Sequence, residues 1–477
     1  MKNEGPDDEI SSGLGVEGKR GLLDKMRQAS ESSGRNRAAR LSRQSQPPVR
    51  QALRFDELPE YQRVQLQRMA GDLTGVANPF YRSHDGAAGA TTAMGGRQFI
   101  NFASYDYLAT NTDPQTKERA KAAIDRFGIS ASASRLVAGE RPVHTELEQD
   151  LASVYGVDAA VCFVSGYLTN VAAISCLMGP QDLVIHDEFI HNSALAGIKQ
   201  SGATRRLFRH NDIANLESVL RTLSADFRRI LVIVEGVYSM DGDIADLPAL
   251  LELRSRYGFW LMLDEAHALG VLGKSGRGTF EHFGVDPSDV DIWMGTLSKT
   301  TSSCGGYIAG SQALVDILKA EAGGFVYSVG LAPVLAAAAR SGLDILRSEP
   351  ERTERLHRNG ALFLECARAA GLDTGLSVGF SVVPVIVGDS LRAVQLSNDL
   401  LDEGINVLPI IHPAVPEGMA RLRFFITCNH TEEQIRHSVE VTARKLKDLQ
   451  DRNFGLASLD MDKVMQLAPL LQAAGKS

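Results

Sequence analysis

Six short, almost uninterrupted apolar runs, bounded by glycine or aspartate and separated by helical stretches, constrain this chain more than any other feature. They read AAVCFVSG, DLVIHDE, RILVIVEG, FWLMLDEA, VDIWMGTLSK and GGYIAG, all between about residues 100 and 310. A strand with one buried face alternates apolar and polar residues, whereas a strand covered on both faces is apolar nearly throughout. The runs predict an α/β fold, a mainly parallel sheet with helices on both sides. Several end in a polar residue: Asp187, Glu235, Asp264 and Lys299. Open α/β sheets bind ligands at the carboxyl ends of their strands, so these four are site candidates by position alone.

The pattern changes after about residue 335. One long helix is expected over VLAAAARSGLDILRSEPERTERLHRNGALFLECARAAG, then strands SVVPVIVGD, INVLPI and RLRFFITC, then the helix TEEQIRHSVEVTARKLKDLQ. This reads as a smaller α+β domain. At the other end, residues 1–50 are rich in Ser, Arg, Gln and Gly and cannot bury enough surface to offset their ordering entropy, so a mobile tail is expected. DELPEYQRVQLQRMAG suggests a helix with Asp56 as N-cap and Gly71 as its stop, and RQFINFASYDYL begins as a strand. The expected organisation is a tail (1–50), a helix and strand segment (51–97), a large domain (98–334), a small C-terminal domain (335–450) and a helical tail (451–477).

With 477 residues, 44% of them hydrophobic, core size is not limiting. A formal net charge of −8 argues against a nucleic-acid partner. The five cysteines are odd in number and lack C-x-x-C spacing, so neither a disulfide framework nor a metal site is expected. No run of about 18 apolar residues or signal-like N-terminus occurs, which predicts a cytoplasmic protein without a transmembrane segment.

LDEAHALGVLGKSG, residues 263–276, carries a helicase-like DEAH box and a relaxed P-loop, A-x-x-x-x-G-K-S. In a working P-loop the second acidic box comes from a different strand, so that magnesium bridges two elements. Here the box directly precedes the supposed loop, and Ala268 replaces the leading glycine. A surface turn is the simpler reading, and an NTPase would require Lys274 to bind nucleotide.

Asp264 and Lys299, 35 residues apart at the ends of successive runs, carry more chemistry. Pyridoxal phosphate enzymes need a lysine that forms a Schiff base with the cofactor and a carboxylate that keeps the pyridine nitrogen protonated. Thr296 and Ser298 flank the lysine with hydroxyls suited to a phosphate, and VSGYLTN is a glycine turn into a helix whose amino end can hold the same group. His191 can stack on the ring. Each piece also has an innocent reading, as a solvated lysine, a hydrogen-bonded histidine or a plain turn; their ordered co-occurrence is the argument.

SGYLTN, DEFIHNS, EGVYSMDGD, DEAHALGVLGKSGRG, GTLSK and RLRFFITCNHT, in that order, resemble the α-oxoamine synthases, fold-type I pyridoxal phosphate enzymes related to serine palmitoyltransferase and aminooxononanoate synthase. The resemblance runs from about residue 98 to 450. It implies an aspartate aminotransferase-like fold and a homodimer with its site at the interface. It further implies that Lys299 bears the cofactor, Asp264 pairs with the pyridine nitrogen, His267 and Ser239 approach the ring hydroxyl, and His191 stacks. Gly166, Tyr167, Thr296, Ser298 and Ser328 of the partner subunit would surround the phosphate. Arg423 would bind the amino-acid carboxylate; His144 matches a family histidine without an assigned role.

The implied reaction is a decarboxylative condensation of serine, alanine or glycine with an acyl thioester, giving an α-amino ketone. The alternative within the fold is transamination or decarboxylation without acyl transfer. SASASRLVAGE resembles members that use carrier-protein thioesters, so acyl-carrier protein and acyl-CoA both stand as donors. Tyr107-Leu108-Ala109 and Gly330-Leu331-Ala332-Pro333 depart from the family's usual Y-L-G and S-L-P-P, which bears on the acyl channel rather than the cofactor.

Overall fold

The computed structural model of the chain describes residues 54–456. The expected tail over 1–50 and most of that over 451–477 lie outside the described residues. The described residues from Arg68 onward belong to one compact unit. Near the start, Asp56 does not cap a helix. It sits in the 3₁₀ turn Phe55–Glu57, its carboxylate paired with Arg54 at 2.7 Å, and the helix begins instead at Pro59. Proline suits a first helical turn, whose N–H groups lack intrahelical partners. Gly71 does not stop the helix, which continues to Thr74; Gly75, at φ 69°, follows it.

Thirteen strands are assigned among the described residues: β1 (Thr91–Met94), β2 (Arg97–Asn101), β3 (Ala159–Phe163), β4 (Leu183–Asp187), β5 (Thr204–Phe208), β6 (Ile230–Glu235), β7 (Trp260–Asp264), β8 (Ile292–Thr296), β9 (Gly306–Gly310), β10 (Val382–Gly388), β11 (Ile405–Asn406), β12 (Leu408–Ile410) and β13 (Ala420–Phe425). Seven form the main sheet, in the order β3-β9-β8-β7-β6-β4-β5. β4 to β8 run parallel to one another, and β9 is antiparallel to both β8 and β3. The reversal is forced by the short connection from Leu297 to Gly305, too few residues for a helical crossover. Lys299 sits in that return.

The six apolar runs are β3, β4 and β6 to β9. Alternate residues feed two separate cores: Ile185, Val232, Val234, Leu261, Leu263 and Trp293 on one face, and Val184, Leu231, Ile233, Met262, Ile292 and Met294 on the other. This two-sided burial, at about 1.5–3 kcal/mol per large side chain, is why the runs contain so few polar residues. β5 was not among the runs. It is an edge strand whose Arg205, Arg206 and Leu207 are exposed, so its sequence is half polar.

The C-terminal part holds the antiparallel sheet β10-β13-β12, and β11 pairs in parallel with β2. The single long helix expected after residue 333 is two, Pro333–Ser348 and Pro350–Ala369. Glu349 precedes proline and adopts φ −126°, ψ 61°, because the following ring clashes with a helical conformation there. Ala109 adopts a left-handed backbone at φ 56°, and Arg352 Nη1 donates to the Leu108 carbonyl at 3.0 Å and that of Ala109 at 3.3 Å.

The two tryptophans test the layered core. Trp293 is fully buried, stacked on Tyr155 with centroids 4.9 Å apart, whereas Trp260 is 37% exposed. Trp293→Ala is expected to lower stability by about 3–5 kcal/mol and Trp260→Ala by less than about 1 kcal/mol, measured by denaturant unfolding followed by circular dichroism.

Candidate active site

The parallel register sets Glu235 of β6 directly beside Asp264 of β7, and the β8–β9 return brings Lys299 to the same edge. Asp264 is 4% exposed. Its Oδ1 accepts the Ala266 N–H at 2.9 Å and its Oδ2 accepts from Asn170 Nδ2 at 3.0 Å. Glu235 accepts two backbone donors, His191 N–H at 2.7 Å and Ser239 N–H at 3.3 Å. One buried carboxyl group therefore pins the loop bearing His191 and the turn bearing Ser239.

The helix Gly166–Leu177 starts at the end of β3, with the Ser165 hydroxyl accepting the Leu168 N–H at 3.1 Å. Gly166 is required there: a Cβ would lie 2.8 Å from Thr296 Oγ1. The close approach gathers the helix start, the Thr296 hydroxyl and the Ser298 hydroxyl, the last two 2.7 Å apart. Free N–H groups at a helix start, next to two hydroxyls, form an anion cradle that fits a phosphate. Tyr167 is 50% exposed at its rim, its hydroxyl 3.3 Å from Asn192 Oδ1.

His191 caps the helix Asn192–Ser201 and lies edge to face with Tyr167, centroids 6.5 Å apart. His267 is buried, with Nδ1 2.7 Å from the Tyr107 hydroxyl. Arg423 of β13 donates to the Ser239 carbonyl at 2.9 Å and lies over the Phe425 ring at 4.6 Å. Its Nε is buried without a hydrogen-bond partner, and among the described residues no carboxylate pairs with it. An uncompensated buried guanidinium is costly unless an anion arrives to meet it.

Burial dominates the electrostatics. It pushes the Lys299 amine down to about 8, opposed by the charges of Asp264 and Glu235 and assisted by Arg423. It pushes Glu235 up to about 8, with the Asp264 charge adding to the effect. Burial also holds His191 below its usual range and His267 well below it. The cluster thus presents a lysine that gives up its proton far more readily than a solvated one beside a carboxylate, two neutral imidazoles and an unpaired arginine, a set that fits an aldehyde-bearing cofactor and an amino-acid carboxylate.

Several residues singled out from the sequence lie elsewhere. Asp187 is not part of this cluster. Its carboxylate accepts from His210 Nδ1 at 2.8 Å and from the Asn211 N–H at 2.9 Å, while His210 Nε2 is 2.8 Å from Asp243. His144 Nδ1 accepts the Arg141 N–H at 3.1 Å and its Nε2 lies 2.6 Å from the Leu331 carbonyl, which occupies both ring nitrogens in fixing a loop. Ser328 follows the short helix Gly323–Val326 beside exposed Tyr327 and Val329, and among the described residues it makes no hydrogen bond to the Lys299 cluster.

The P-loop-like segment is filled by the protein itself. The N–H groups of Ser275, at 3.2 Å, and Arg277, at 2.9 Å, donate to the Glu281 carboxylate where a phosphate would have to sit. Glu265, raised to about 7 mainly by burial, is held by the Thr279 N–H at 3.0 Å and by its hydroxyl, tying the end of this loop back to β7. Sequence reasoning gave no role to Asn170, Ser193 or Tyr107. Asn170 closes the quoted VSGYLTN motif, and only that adjacency pointed to it.

Comparison with known proteins places this geometry. Residues 97–441 match the family described as aminotransferase class I and II. The 8-amino-7-oxononanoate synthase of Symbiobacterium thermophilum is 40% identical over 354 residues, 74% of this chain and 90% of that protein. The enzyme of that name from Beijerinckia indica subsp. indica is 42% identical over 356 residues, with coverage of 74% and 90%. Among solved structures, the Sphingomonas wittichii serine palmitoyltransferase gives a TM-score of 0.78 at 30% identity, covering 82% of this chain and 98% of that one. Serine palmitoyltransferase from S. paucimobilis, with pyridoxal phosphate and myriocin bound, gives 0.79 at 28% identity, with the same coverage.

The His210 clasp makes a prediction about pH. Against the cost of burial, hydrogen bonds to Asp187 and Asp243 raise His210 from 6.5 to about 10. A raised histidine stabilises the fold fully below its unfolded pKa, and that contribution is lost as pH rises through the folded value. The thermal midpoint should therefore fall between about pH 7 and 10 in the wild type. His210→Gln should be less stable by about 3 kcal/mol at pH 7 and should lack most of this slope.

Proposed function

We propose a specific reaction for this chain, which belongs to the aminotransferase class I and II family and is a pyridoxal phosphate-dependent α-oxoamine synthase, a C-acyltransferase. The reaction is the decarboxylative condensation of a small amino acid (serine, alanine or glycine) with an acyl thioester of coenzyme A or a carrier protein, giving an α-amino ketone. One observation carries the reading: a buried arginine without a carboxylate, Arg423, lies close enough to Lys299 for its charge to lower the lysine's pKa. A substrate bearing both an amino group and a carboxylate satisfies both.

The geometry supports the following roles. Pyridoxal phosphate, when bound, supplies an aldehyde for the amino group and a ring that takes up the electron pair of a broken bond at the α-carbon. Gly166, Tyr167, Thr296 and Ser298 would hold its phosphate with Ser328 of the partner subunit, Ser239 and His267 its hydroxyl, and His191 its ring face. Asp264, its oxygens fixed by Ala266 and Asn170, would hold a proton at the pyridine nitrogen. Lys299 would bear the cofactor through its Nζ and, when that amine is free, would accept the α-proton. Arg423 binds the carboxylate. The deprotonated α-carbon would bond to the acyl carbon as the C–S bond breaks and the thiolate leaves to be protonated by solvent; loss of carbon dioxide would then leave an electron pair at the α-carbon, which takes up a proton to give the α-amino ketone.

A homodimer fits the surface around Ser328. Leu136, Val137, Tyr327 and Val329 are at least half exposed, and their segments are joined by the Gly330 N–H to Ala133 carbonyl bond of 2.9 Å. Exposed apolar groups gathered in this way mark contact surfaces. Among the described residues no helix is long and apolar enough to cross a membrane.

Absorption spectroscopy of the pyridoxal phosphate-loaded protein tests the reading. A visible band perturbed by one of serine, alanine or glycine is expected, with carbon dioxide release that requires an acyl thioester. Release without thioester would favour a simple decarboxylase instead. Lys299→Ala should lose the borohydride-trapped cofactor and at least about 10³-fold in kcat. Arg423→Ala should raise the KM for the amino acid about 10–100-fold, the worth of a hydrogen-bonded charge.

A further inference from the structure

A hydrogen-bonded chain runs from the Asp264 carboxylate to the His191 imidazole through two buried side chains, Asn170 and Ser193. Asn170 and Ser193 are each 1% exposed. Asn170 Nδ2 lies 3.0 Å from Asp264 Oδ2 and 2.9 Å from Ser193 Oγ, and its Oδ1 is buried without a partner. Chemistry dictates this orientation of the amide. Turned over, its carbonyl oxygen would face a carboxylate oxygen, acceptor against acceptor.

Both amide protons therefore donate, one to each neighbour. The Ser193 oxygen, having accepted from Asn170, keeps its own proton to give, and His191 Nδ1 lies 2.7 Å away. The Ser193 backbone N–H approaches the same nitrogen at 3.3 Å. Two donors converge on Nδ1, so the ring carries its proton on Nε2. The arrangement needs the helices Gly166–Leu177 and Asn192–Ser201 in close contact. Gly197 permits it, since a Cβ there would lie 2.9 Å from the Asn170 carbonyl oxygen.

We propose that Asn170 and Ser193 are positioning residues that transmit the fixed orientation of Asp264 to His191, holding the imidazole in one plane as its Nε2–H tautomer. The inference rests on the reading of Asp264 and His191 as cofactor-binding groups. It identifies what aligns them: a ring flipped about its Cβ–Cγ bond would lose both donors on Nδ1 and leave the Ser193 hydroxyl proton unmet. Burial, which keeps the ring neutral, makes the choice of tautomer consequential.

The test is ¹⁵N NMR of histidine-labelled protein, with His191 assigned by the signals missing from His191→Phe, alongside cofactor binding by the holoenzyme. In the wild type at pH 7, His191 Nδ1 should resonate in the unprotonated range and Nε2 in the protonated range. Asn170→Ala and Ser193→Ala should each bring the two shifts together by admitting the second tautomer. Each should weaken pyridoxal phosphate binding about tenfold, and the double variant no more than the stronger single one, because both act through one chain. A protonated Nδ1 in the wild type, or variants with unchanged shifts and additive losses, would overturn the proposal. Should Asn170→Ala fail to fold, the wild-type tautomer and Ser193→Ala still decide. Absence of a borohydride-trapped cofactor on Lys299 of the wild type would instead refute the function proposed above, whereas the tautomer is read in the unloaded protein.

Discussion

Two carboxyl groups set side by side at buried strand ends govern this site. The register of β6 against β7 places Glu235 opposite Asp264, and a low-dielectric strand end does not accommodate two adjacent negative charges. The conflict is resolved by pushing Glu235 up to about 8, so that near neutral pH it is largely a carboxylic acid holding two loops, while Asp264 bonds to two N–H donors. One group becomes architecture and the other chemistry. The same edge then accepts Lys299, whose amine loses solvation but faces one carboxylate, and the balance brings it to about 8.

The sheet makes this possible through connectivity rather than through any single contact. Parallel strands deliver their carboxyl ends to one edge, and the nine residues from Leu297 to Gly305, too few for a crossover, turn the chain back there. The lysine is thereby held in a tight return with Thr296 and Ser298, against a helix start that only Gly166 allows so near. Phosphate cradle and lysine are consequences of the same reversal.

Much of this was legible in the sequence. Two-sided burial writes itself as apolar runs, and the strand-end rule picked out Glu235, Asp264 and Lys299 before any contact was known. Asp187 obeyed the same rule and yet lies in the His210 clasp, because the rule identifies an edge and not which of its residues converge. β5 escaped because an exposed edge strand has no apolar signature. Glu349–Pro350 shows the reverse: the proline is plain in the sequence and disfavours a helical residue before it, yet one continuous helix was expected there. Asn170 and Ser193 act through hydrogen bonds between residues far apart in the chain, which leave no periodic trace.

The P-loop-like string shows why pattern and site differ. A loop of backbone N–H groups binds an anion whatever its origin, and here the anion is Glu281, six residues after Ser275 in the same segment. A carboxylate held at fixed distance is always present, whereas a phosphate must be captured from solution at an entropic cost, so the internal partner wins. The opposite situation holds at Arg423, where the described residues offer only a backbone carbonyl, a thioether and an aromatic face. Of two motifs that each suggest an anion, Arg423 is the one left without a carboxylate of its own among the described residues.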